Sequence, residues 1–339
     1  MSKGEKILFC VLNWGLGHAT RSEPLIRRLL SEGKEVHLAS DGNALLYLRE
    51  RFPDLVFYEY PSYNIRYGRS GTGTVLKLAL QMLPALRVQK LEQQLTEALC
   101  KQQGFTHVYS DGRFGAFSRR VPSVYITHQL CPGTGSSFVN SLAARMHARI
   151  MNRFTEVWVP DHAEEAQSLA GALSRPNRWL RSTVIYIGPL SRFESIETQP
   201  LVYDALAVLS GPEPQRSLLE EKLLQQMAAL PQYSFCLLRG VKGLPALQPA
   251  NVYLYEMAGP EELQKVAARS ALFICRSGYS GIMDLHAMGI RKAVLVPTPG
   301  QGEQMYLARY LDGKKGWQVR TQEEFSLRSL LPEKDGRTF

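Results

Sequence analysis

The sequence predicts an α/β protein with two doubly wound, Rossmann-like domains that face each other across a cleft. Three observations predict this class: the length of 339 residues, an alternation of strand-like apolar runs with amphipathic segments, and the return of that alternation in the second half. A chain of this length exceeds the usual size of one domain, so we expect each half to bury its own core.

In the first half, six strand-like runs alternate with helical spacing, which is the order of a parallel sheet covered on both faces. They span residues 7–12, 35–40, 56–60, 107–110, 124–127 and 157–160. Glycine, proline and polar residues break the pattern after residue 187. We therefore predict an N-terminal domain over residues 1–187 and a linker over residues 188–200.

The second half, residues 201–339, repeats the architecture. Strands are expected at 205–210, 234–238, 252–255, 272–275 and 293–297, and helices at 216–230, 260–270, 279–288 and 303–311. No short-period repeat accompanies them, so this half is a second domain rather than part of a repeat array.

Composition narrows the class of protein. Hydrophobic residues make up 45% of the chain and charged residues 21%, as in an ordinary globular protein. Five cysteines are scattered and lack metal-ligand spacing, which predicts a reduced, cytoplasmic compartment. The first apolar run is too short for a signal peptide, and none approaches the roughly 18 residues of a membrane span.

A net charge of +9 suits nucleic acid, an anionic membrane or phosphorylated ligands. No nucleic-acid-binding motif accompanies it, so we expect no nucleic acid partner. No Asp or Glu occurs between Tyr60 and Lys90, where five bases accompany apolar clusters. These bases are Arg66, Arg69, Lys77, Arg87 and Lys90. Such a segment can lie on an anionic membrane surface or pack as a helix with solvated bases, and both interpretations stay open.

A glycine loop, NWGLGHATR at residues 13–21, joins the first strand to the first helix. Loops of this kind lie at the carboxyl edge of a sheet, where α/β folds bind ligands. Since histidine titrates near neutral pH, we interpret His18 as a general base that deprotonates the hydroxyl group of a substrate, called the acceptor below. Gly15 and Gly17 are then expected on the side that binds this acceptor. The alternatives are a hydrogen-bond donor that orients the acceptor or a phosphate, and an incidental histidine in a tight turn.

Two later loops belong to the same predicted sheet edge. Asp111 ends the strand at 107–110 and is a candidate to orient His18, or a turn residue before Gly112. His128 and Gln129 follow the strand at 124–127. They are candidates for the acceptor side, or polar residues satisfied by the backbone.

The most informative stretch is FICRSGYSGIMDLHAMGIRKAVLVPTPGQGEQMYLARYL, residues 273–311. A strand ends in a turn that opens a helix, and the N–H groups and positive dipole end at that helix start suit a diphosphate. The turn residues are Ser277, Gly278, Tyr279, Ser280 and Gly281. Asp284, one turn further on, can accept hydrogen bonds from a ribose diol.

This order of strand, Cys-Arg-Ser-Gly turn, acid-bearing helix and glutamine loop resembles the nucleotide-sugar half of GT-B glycosyltransferases, especially the MurG type. The resemblance implies that Ser277–Gly281 holds the diphosphate, Asp284 the ribose and Gln304 the sugar. The segment GLGHATRSEPLIRRLLSEGKEVHLAS is similar to the first loop and helix of the same enzymes. Asp284 stands where the family usually has Glu, and Met305 where MurG has a second Gln, which leaves the donor sugar open.

Weaker donor-side candidates come from the flanking loops. Ser210, Gly211 and Arg216 occupy the place of the family's first C-domain loop, which reaches the phosphates. Arg276 is a candidate to neutralise leaving-group phosphate, or a structural ion-pair residue. Glu303 is a candidate to read sugar hydroxyls, or a helix-start charge favoured by the dipole.

The predicted function is that of an inverting glycosyltransferase that moves a sugar from a UDP-sugar to an acceptor hydroxyl, lipid-linked acceptors included. No DxD pair flanked by strands is present in the segments predicted to line the cleft, so we expect no metal. No cofactor is expected, because the nucleotide-sugar is a substrate. We expect a cytoplasmic location, with peripheral attachment to the inner face of the membrane if the basic segment binds lipid. The alternatives are a UDP-sugar 2-epimerase of the same architecture and a non-catalytic UDP-sugar-binding subunit.

Overall fold

The computed structural model describes residues 4–63, 71–131, 137–197 and 199–333, with the backbone alone for residues 71–83 and 137–140. The chain divides into two compact units, Met1–Arg192 and Phe193–Phe339. The boundary lies inside the segment predicted as a linker.

The described part of the N-terminal unit is built on a seven-stranded parallel sheet. Its strands are β1 (Lys6–Val11), β2 (Glu35–Ser40), β3 (Phe57–Glu59), β4 (His107–Asp111), β5 (Ser123–Ile126), β6 (Glu156–Val159) and β7 (Thr183–Tyr186). Their order across the sheet is β3-β2-β1-β4-β5-β6-β7. The chain winds outward from β1 in one direction and from β4 in the other, so β1 and β4 flank the switch point where such sheets bind ligands.

Helices cover both faces of this sheet. They are α1 (Gly17–Ser31), α2 (Gly42–Arg51), α3 (Gly71–Gln103) and α4 (Ser137–Met151). On one face Phe9 packs in the same core as Ile26 of α1, and on the other Leu8 packs with Leu99 of α3. The unbroken apolar run of β1 follows from this double cover.

The described part of the C-terminal unit holds a six-stranded sheet, again parallel at every pairing. Its strands are β8 (Ala205–Val208), β9 (Phe235–Leu238), β10 (Val252–Tyr255), β11 (Phe273–Cys275), β12 (Ala293–Leu295) and β13 (Trp317–Val319). The order is β10-β9-β8-β11-β12-β13, which places the switch point between β8 and β11. The helices are α5 (Gln215–Ala228), α6 (Pro260–Ala268), α7 (Tyr279–Ala287) and α8 (Gly302–Leu311).

The predicted fold class, two doubly wound parallel units, is confirmed. All eleven predicted strands are present, whereas β7 and β13 were not predicted. The helix predicted at 279–288 is present as α7, which begins at Tyr279, so Tyr279, Ser280 and Gly281 of the predicted turn form its first turn.

The basic segment falls partly beyond the described residues. Arg66 and Arg69 lie outside them, as does the side chain of Lys77, while Arg87 and Lys90 are exposed on α3. No helix in the described ranges is both long and apolar enough to span a membrane.

Candidate active site

The glycine loop brings β1 into α1 at the switch point of the first sheet. Gly15 has a left-handed backbone (φ +72°) with no atom within 4 Å of the position a Cβ would take, so its glycine serves the backbone conformation. Because α1 begins at Gly17, His18 lies in its first turn. The His18 side chain is 20% exposed.

Asp111 is the last residue of β4 and lies beside Val11, the last residue of β1. Its fully buried carboxylate approaches His18, with 2.8 Å between Asp111 Oδ1 and His18 Nδ1. The sheet register therefore brings together the two residues that the sequence nominated for catalysis.

Two residues that carry no recognisable pattern in the sequence complete this cluster. Arg21 Nε donates to Asp111 Oδ1 (3.1 Å) and Oδ2 (2.9 Å), and Arg21 Nη2 donates to Oδ1. Ser22 Oγ donates to Asp111 Oδ2 at 2.7 Å. Their one sequence signal is spacing: they follow His18 by three and four residues and so share its helix face.

The electrostatics of the cluster fix its charge states. Burial works to raise the pKa of Asp111, but the charge of Arg21 and the hydrogen bonds from Arg21 and His18 hold that pKa well below its ordinary range. Burial lowers the pKa of His18, and Arg21 lowers it further, against the opposing effect of Asp111. At neutral pH the cluster therefore holds a carboxylate, a guanidinium and a neutral imidazole. In the tautomer with the hydrogen on Nδ1, His18 donates to Asp111 and Nε2 is the basic nitrogen.

Gly112 closes the loop directly over the histidine. Its backbone is left-handed (φ +75°), and a Cβ there would lie 2.7 Å from His18 Cε1 and 3.2 Å from a Leu12 methyl carbon. Only glycine combines this conformation with this approach.

A buried ion-pair cluster fixes the loop after β4, which contains Gly112 and Arg113. Arg113 Nε donates to Glu92 Oε1 of α3 at 2.8 Å, and both terminal nitrogens of Arg113 donate to Asp41 Oδ1 at 2.9 Å. Asn13 Nδ2 donates to Asp41 Oδ2 at 3.2 Å, which ties the glycine loop to the same cluster. The loop that follows Asp111 is thus bonded to Glu92 of α3 and to Asp41, the residue before α2.

Of the two residues predicted for the acceptor side after β5, His128 joins the cluster. Its side chain is buried, and its Nδ1 lies 3.4 Å from Arg21 Nη1. Gln129 is half-buried, and its backbone N–H donates to Thr127 Oγ1 at 3.1 Å. Their assignment to an acceptor stays a prediction.

The predicted donor residues of the C-terminal unit gather at its own switch point. Gln304 Oε1 accepts from the Thr298 backbone N–H at 2.9 Å, and Ser277 Oγ donates to the Gln304 carbonyl at 2.9 Å. Gly278 precedes α7, and a Cβ there would lie 3.9 Å from Gln304 Nε2. The sequence nominated three of these four residues, and Thr298 was missed.

Thr298 also reaches the loop after β8. A Cβ at Gly211 (φ +101°) would lie 3.6 Å from Thr298 Oγ1, a buried oxygen without a hydrogen-bond partner among the described residues. Gly211 and its neighbour Ser210 are thereby placed beside the α7 and α8 starts. The only sequence signal for Thr298 is its place after the predicted strand at 293–297.

Ser280, Asp284 and Glu303 are half-buried around this point. Ser280 and Asp284 are four residues apart on α7 and share one helix face. Glu303 lies in the first turn of α8, where a carboxylate is stabilised by the helix dipole. Buried Tyr279 and half-buried Gly281 complete the first turn of α7.

The two arginines predicted near the phosphates direct their guanidinium groups into the unit. Arg216 is buried and donates to Glu213 (2.5 Å) and Glu220 (3.1 Å). Arg276 is buried and donates to the Gln215 carbonyl at 2.6 Å and to Gln322 Oε1 at 2.7 Å, and burial lowers its pKa to about 10. A role for either toward a ligand stays a prediction.

No three His, Cys, Asp or Glu side chains meet as a metal site would require within the described ranges. The expectation that the reaction needs no metal therefore stays a prediction as well.

Two doubly wound units, each with polar residues gathered at the switch point of its sheet, define the GT-B fold of glycosyltransferases. No family model matches the chain. A relative described as an uncharacterized glycosyltransferase from Methanosarcina acetivorans is 24% identical over 341 residues, which covers 90% of this chain and 84% of the relative.

Solved structures agree on the fold. The glycosyltransferase of kitacinnamycin has a TM-score of 0.69 at 17% identity, with 97% of this chain and 90% of that chain covered. MurG of Acinetobacter baumannii has a TM-score of 0.59 at 16% identity, with 96% and 88% covered. The Streptomyces sp. SF2575 glycosyltransferase SsfS6, solved with thymidine diphosphate, has a TM-score of 0.60 at 14% identity, with 93% and 87% covered. The predicted resemblance to MurG-type GT-B proteins is confirmed for the fold.

Proposed function

We propose that this chain is an inverting glycosyltransferase that uses a nucleotide-sugar, a UDP-sugar, as donor and a hydroxyl group as acceptor. The N-terminal unit binds the acceptor and the C-terminal unit binds the donor. The observation that carries the proposal is the 2.8 Å contact between His18 Nδ1 and Asp111 Oδ1, because it orients a neutral imidazole as a base at a ligand-binding sheet edge.

In the reaction, His18 Nε2 takes the proton of the acceptor hydroxyl as its oxygen attacks the anomeric carbon. The new C–O bond forms as the bond from that carbon to the diphosphate breaks, and the electron pair leaves with UDP. Attack from the face opposite the leaving group inverts the anomeric configuration. Asp111 keeps its hydrogen bond to Nδ1 and stabilises the imidazolium that forms.

On the donor side, the backbone N–H groups at the start of α7 donate hydrogen bonds to the diphosphate, as anions commonly bind at helix N-termini. Asp284 accepts hydrogen bonds from the ribose, and Gln304 with Glu303 reads the sugar hydroxyls. Helix dipole and N–H groups stabilise the developing charge of the leaving group, so neither a metal nor a cofactor is part of the proposal.

The charge distribution supports an anionic partner for the N-terminal unit. Residues 1–192 contain 24 Lys and Arg against 15 Asp and Glu, a net charge of +9, whereas residues 193–339 contain 16 of each. A diphosphate-bearing lipid acceptor, or an anionic membrane that presents it from the cytoplasmic side, would be attracted to this unit.

The test combines nucleotide binding with acceptor-dependent release. Calorimetry in EDTA compares UDP, ADP, GDP and TDP, the last because SsfS6 was solved with thymidine diphosphate. UDP release from UDP-sugars is then measured with host lipid extracts, and the products are identified by mass spectrometry. We expect UDP to bind most tightly without magnesium and release to depend on an acceptor.

His18→Ala separates the proposed roles. We expect turnover to fall on the order of 10²–10⁴-fold, the usual contribution of general base catalysis, with unchanged affinity for UDP. Circular dichroism controls for folding. Near-wild-type turnover would remove His18 from catalysis, a loss of UDP affinity would assign it to donor binding, and UDP-sugar turnover without an acceptor would favour the epimerase.

A further inference from the structure

Arg21 is a buried member of the His18 cluster that contacts His18, Asp111 and His128, although it has no place in the proposed chemistry. Its side chain is 6% exposed. Its Nε bridges both oxygens of Asp111, its Nη2 bonds to Asp111 Oδ1 and lies 2.9 Å from His18 Nδ1, and its Nη1 faces His128. One guanidinium therefore touches every titratable group around His18.

This arrangement changes what Asp111 can do for His18. In a base–orienter pair without a third charge, the buried carboxylate orients the imidazole and also draws a proton onto it. Here the charge of Asp111 is balanced by a guanidinium at hydrogen-bond distance. Asp111 keeps its directional effect through Oδ1, while much of its electrostatic pull on His18 is cancelled.

Geometry also restricts the tautomer of His18. The Nδ1 atom lies 2.8 Å from an oxygen that only accepts and 2.9 Å from a nitrogen that only donates. Arg21 Nη2 also donates to Asp111 Oδ1, so a hydrogen on Nδ1 lets the anionic carboxylate accept from both groups. The ion pair therefore favours the Nδ1–H tautomer, with the lone pair on Nε2.

We propose that Arg21 is a positioning residue that clamps Asp111 and compensates its charge, so that His18 is held as the neutral Nδ1–H tautomer with Nε2 as the proton acceptor. Its relevance to sugar transfer rests on the function proposed above. The charged or titratable groups that face His18 are Arg21 from α1, Asp111 from the end of β4 and His128 from the loop after β5.

The electrostatic consequence has a definite sign. Burial lowers the pKa of His18, and the Arg21 charge adds to this effect. A base with a lowered pKa stays neutral to lower pH, so turnover should persist below the ordinary histidine range and fall only as the pH drops through the lowered pKa.

Imidazole ¹⁵N resonances of the full chain test the proposal without any substrate. His18 is assigned by its absence in His18→Ala. In the wild type we expect the Nδ1–H tautomer and a titration midpoint below the ordinary histidine value. An Nε2–H tautomer in the wild type would overturn the proposal before any variant is made.

Variants then isolate the role of Arg21. Arg21→Gln removes the charge, so we expect the His18 midpoint and the acid limb of turnover to move together to higher pH. Arg21→Lys keeps a charge without the planar fork, so the midpoint should stay low while the Nδ1–H signal weakens. Arg28→Gln, an exposed arginine two turns along α1, is the control and should change neither.

The outcomes distinguish this proposal from the proposed function. An unchanged His18 midpoint in Arg21→Gln contradicts charge compensation, whether or not the protein transfers sugar. If Arg21→Gln fails to fold, an undiminished Nδ1–H signal in Arg21→Lys contradicts the clamp. Absence of acceptor-dependent release in the wild type, with the expected imidazole behaviour intact, contradicts the proposed function alone.

Discussion

Single residues in this chain acquire their chemistry from partners that are distant in sequence. Asp111 accepts from three side chains about ninety positions earlier, His18, Arg21 and Ser22. A carboxylate that is fully buried is stable only when its oxygens are hydrogen-bonded and its charge is paired. Asp111 meets both conditions, which is why it can remain ionised beside the proposed base.

Asp284 offers a residue-scale prediction in the other unit. Asp284→Asn keeps the shape of the side chain but replaces the carboxylate that is proposed to accept the ribose hydroxyls. Hydrogen bonds to charged groups contribute about 1.5–3 kcal/mol, so affinity for the UDP-sugar should fall by about one to two decades. Calorimetry measures the loss.

Glu261→Gln is the matched control for Asp284→Asn. It removes one negative charge from the exposed first turn of α6, a different helix from the one that carries Asp284. Both variants should show the wild-type circular dichroism spectrum, and the control should keep wild-type affinity. Unchanged affinity in Asp284→Asn would assign Asp284 a structural role.

At the scale of elements, the loop after β4 is fixed by its glycines as much as by its charges. A Cβ at Gly112 would meet the His18 ring at 2.7 Å, and a Cβ at Gly115 would meet the Gln89 carbonyl of α3 at 2.1 Å. The loop therefore packs against α1 and α3 at distances that only glycine permits. Its conformation and the position of His18 are set together.

Gly112→Ala should disturb His18 more than it disturbs the fold. Alanine in a left-handed conformation costs about 1–2 kcal/mol, and the new methyl group must also displace the imidazole. We expect turnover to fall about 10²-fold, because catalysis is sensitive to displacements near 1 Å. Thermal unfolding and acceptor-dependent UDP release measure the two effects.

Gly104→Ala provides a close control for this variant. Gly104 has the same left-handed backbone (φ +69°) but nothing within 4 Å of a Cβ. The Gly104→Ala variant should lose about as much stability as Gly112→Ala but keep the wild-type turnover. Equal losses of turnover in both variants would attribute the effect of Gly112→Ala to the backbone rather than to contact with His18.

The difference between local patterns and contacts between distant residues explains how much could be predicted from the sequence. Strands and helices with continuous local patterns were predicted, whereas β13 has three residues and β7 ends just before the Gly-Pro break of the linker. His18 and Asp111 were found because His18 lies in the loop after the first predicted strand and Asp111 directly follows the predicted strand at 107–110. Arg21 was not, because its buried partners are at the end of β4 and in the loop after β5, and no local pattern records such a pairing.

For two donor-side arginines, sequence position does not predict the hydrogen-bond partners of the side chain. Arg216 and Arg276 follow loops where the family places phosphate, which made them donor candidates. In the structure their guanidinium groups bond to Glu213, Glu220 and backbone or amide oxygens of their own unit. A long side chain can meet its hydrogen-bonding needs in many directions, and sequence position alone does not select among them.

At the scale of the whole molecule, the net charge of the chain comes from one unit. The N-terminal unit carries the net +9, and the acidic residues are absent between Asp111 and Glu156 as well as between Glu59 and Glu92. The exposed residues of α3 combine the apolar and the basic side chains of a lipid-binding surface. Leu86 and Leu91 are more than half exposed, and Arg87 and Lys90 are exposed beside them. On α4, Leu142 and Met146 are exposed together with Arg145 and Arg149.

This distribution predicts selective, salt-sensitive binding to anionic vesicles. The wild type should sediment with phosphatidylglycerol-containing vesicles and not with phosphatidylcholine alone, and binding should weaken as salt shortens the Debye length from about 10 Å at 0.1 M to about 3 Å at 1 M. Each base near an anionic surface contributes on the order of 1 kcal/mol, so the double variant Arg87→Gln/Lys90→Gln should bind roughly 30-fold more weakly. The matched control is Arg291→Gln/Lys292→Gln, which removes two exposed bases from the unit without net charge. Equal losses in both double variants would show that total charge, not the surface of α3, drives binding, and sedimentation with neutral vesicles would contradict the electrostatic account.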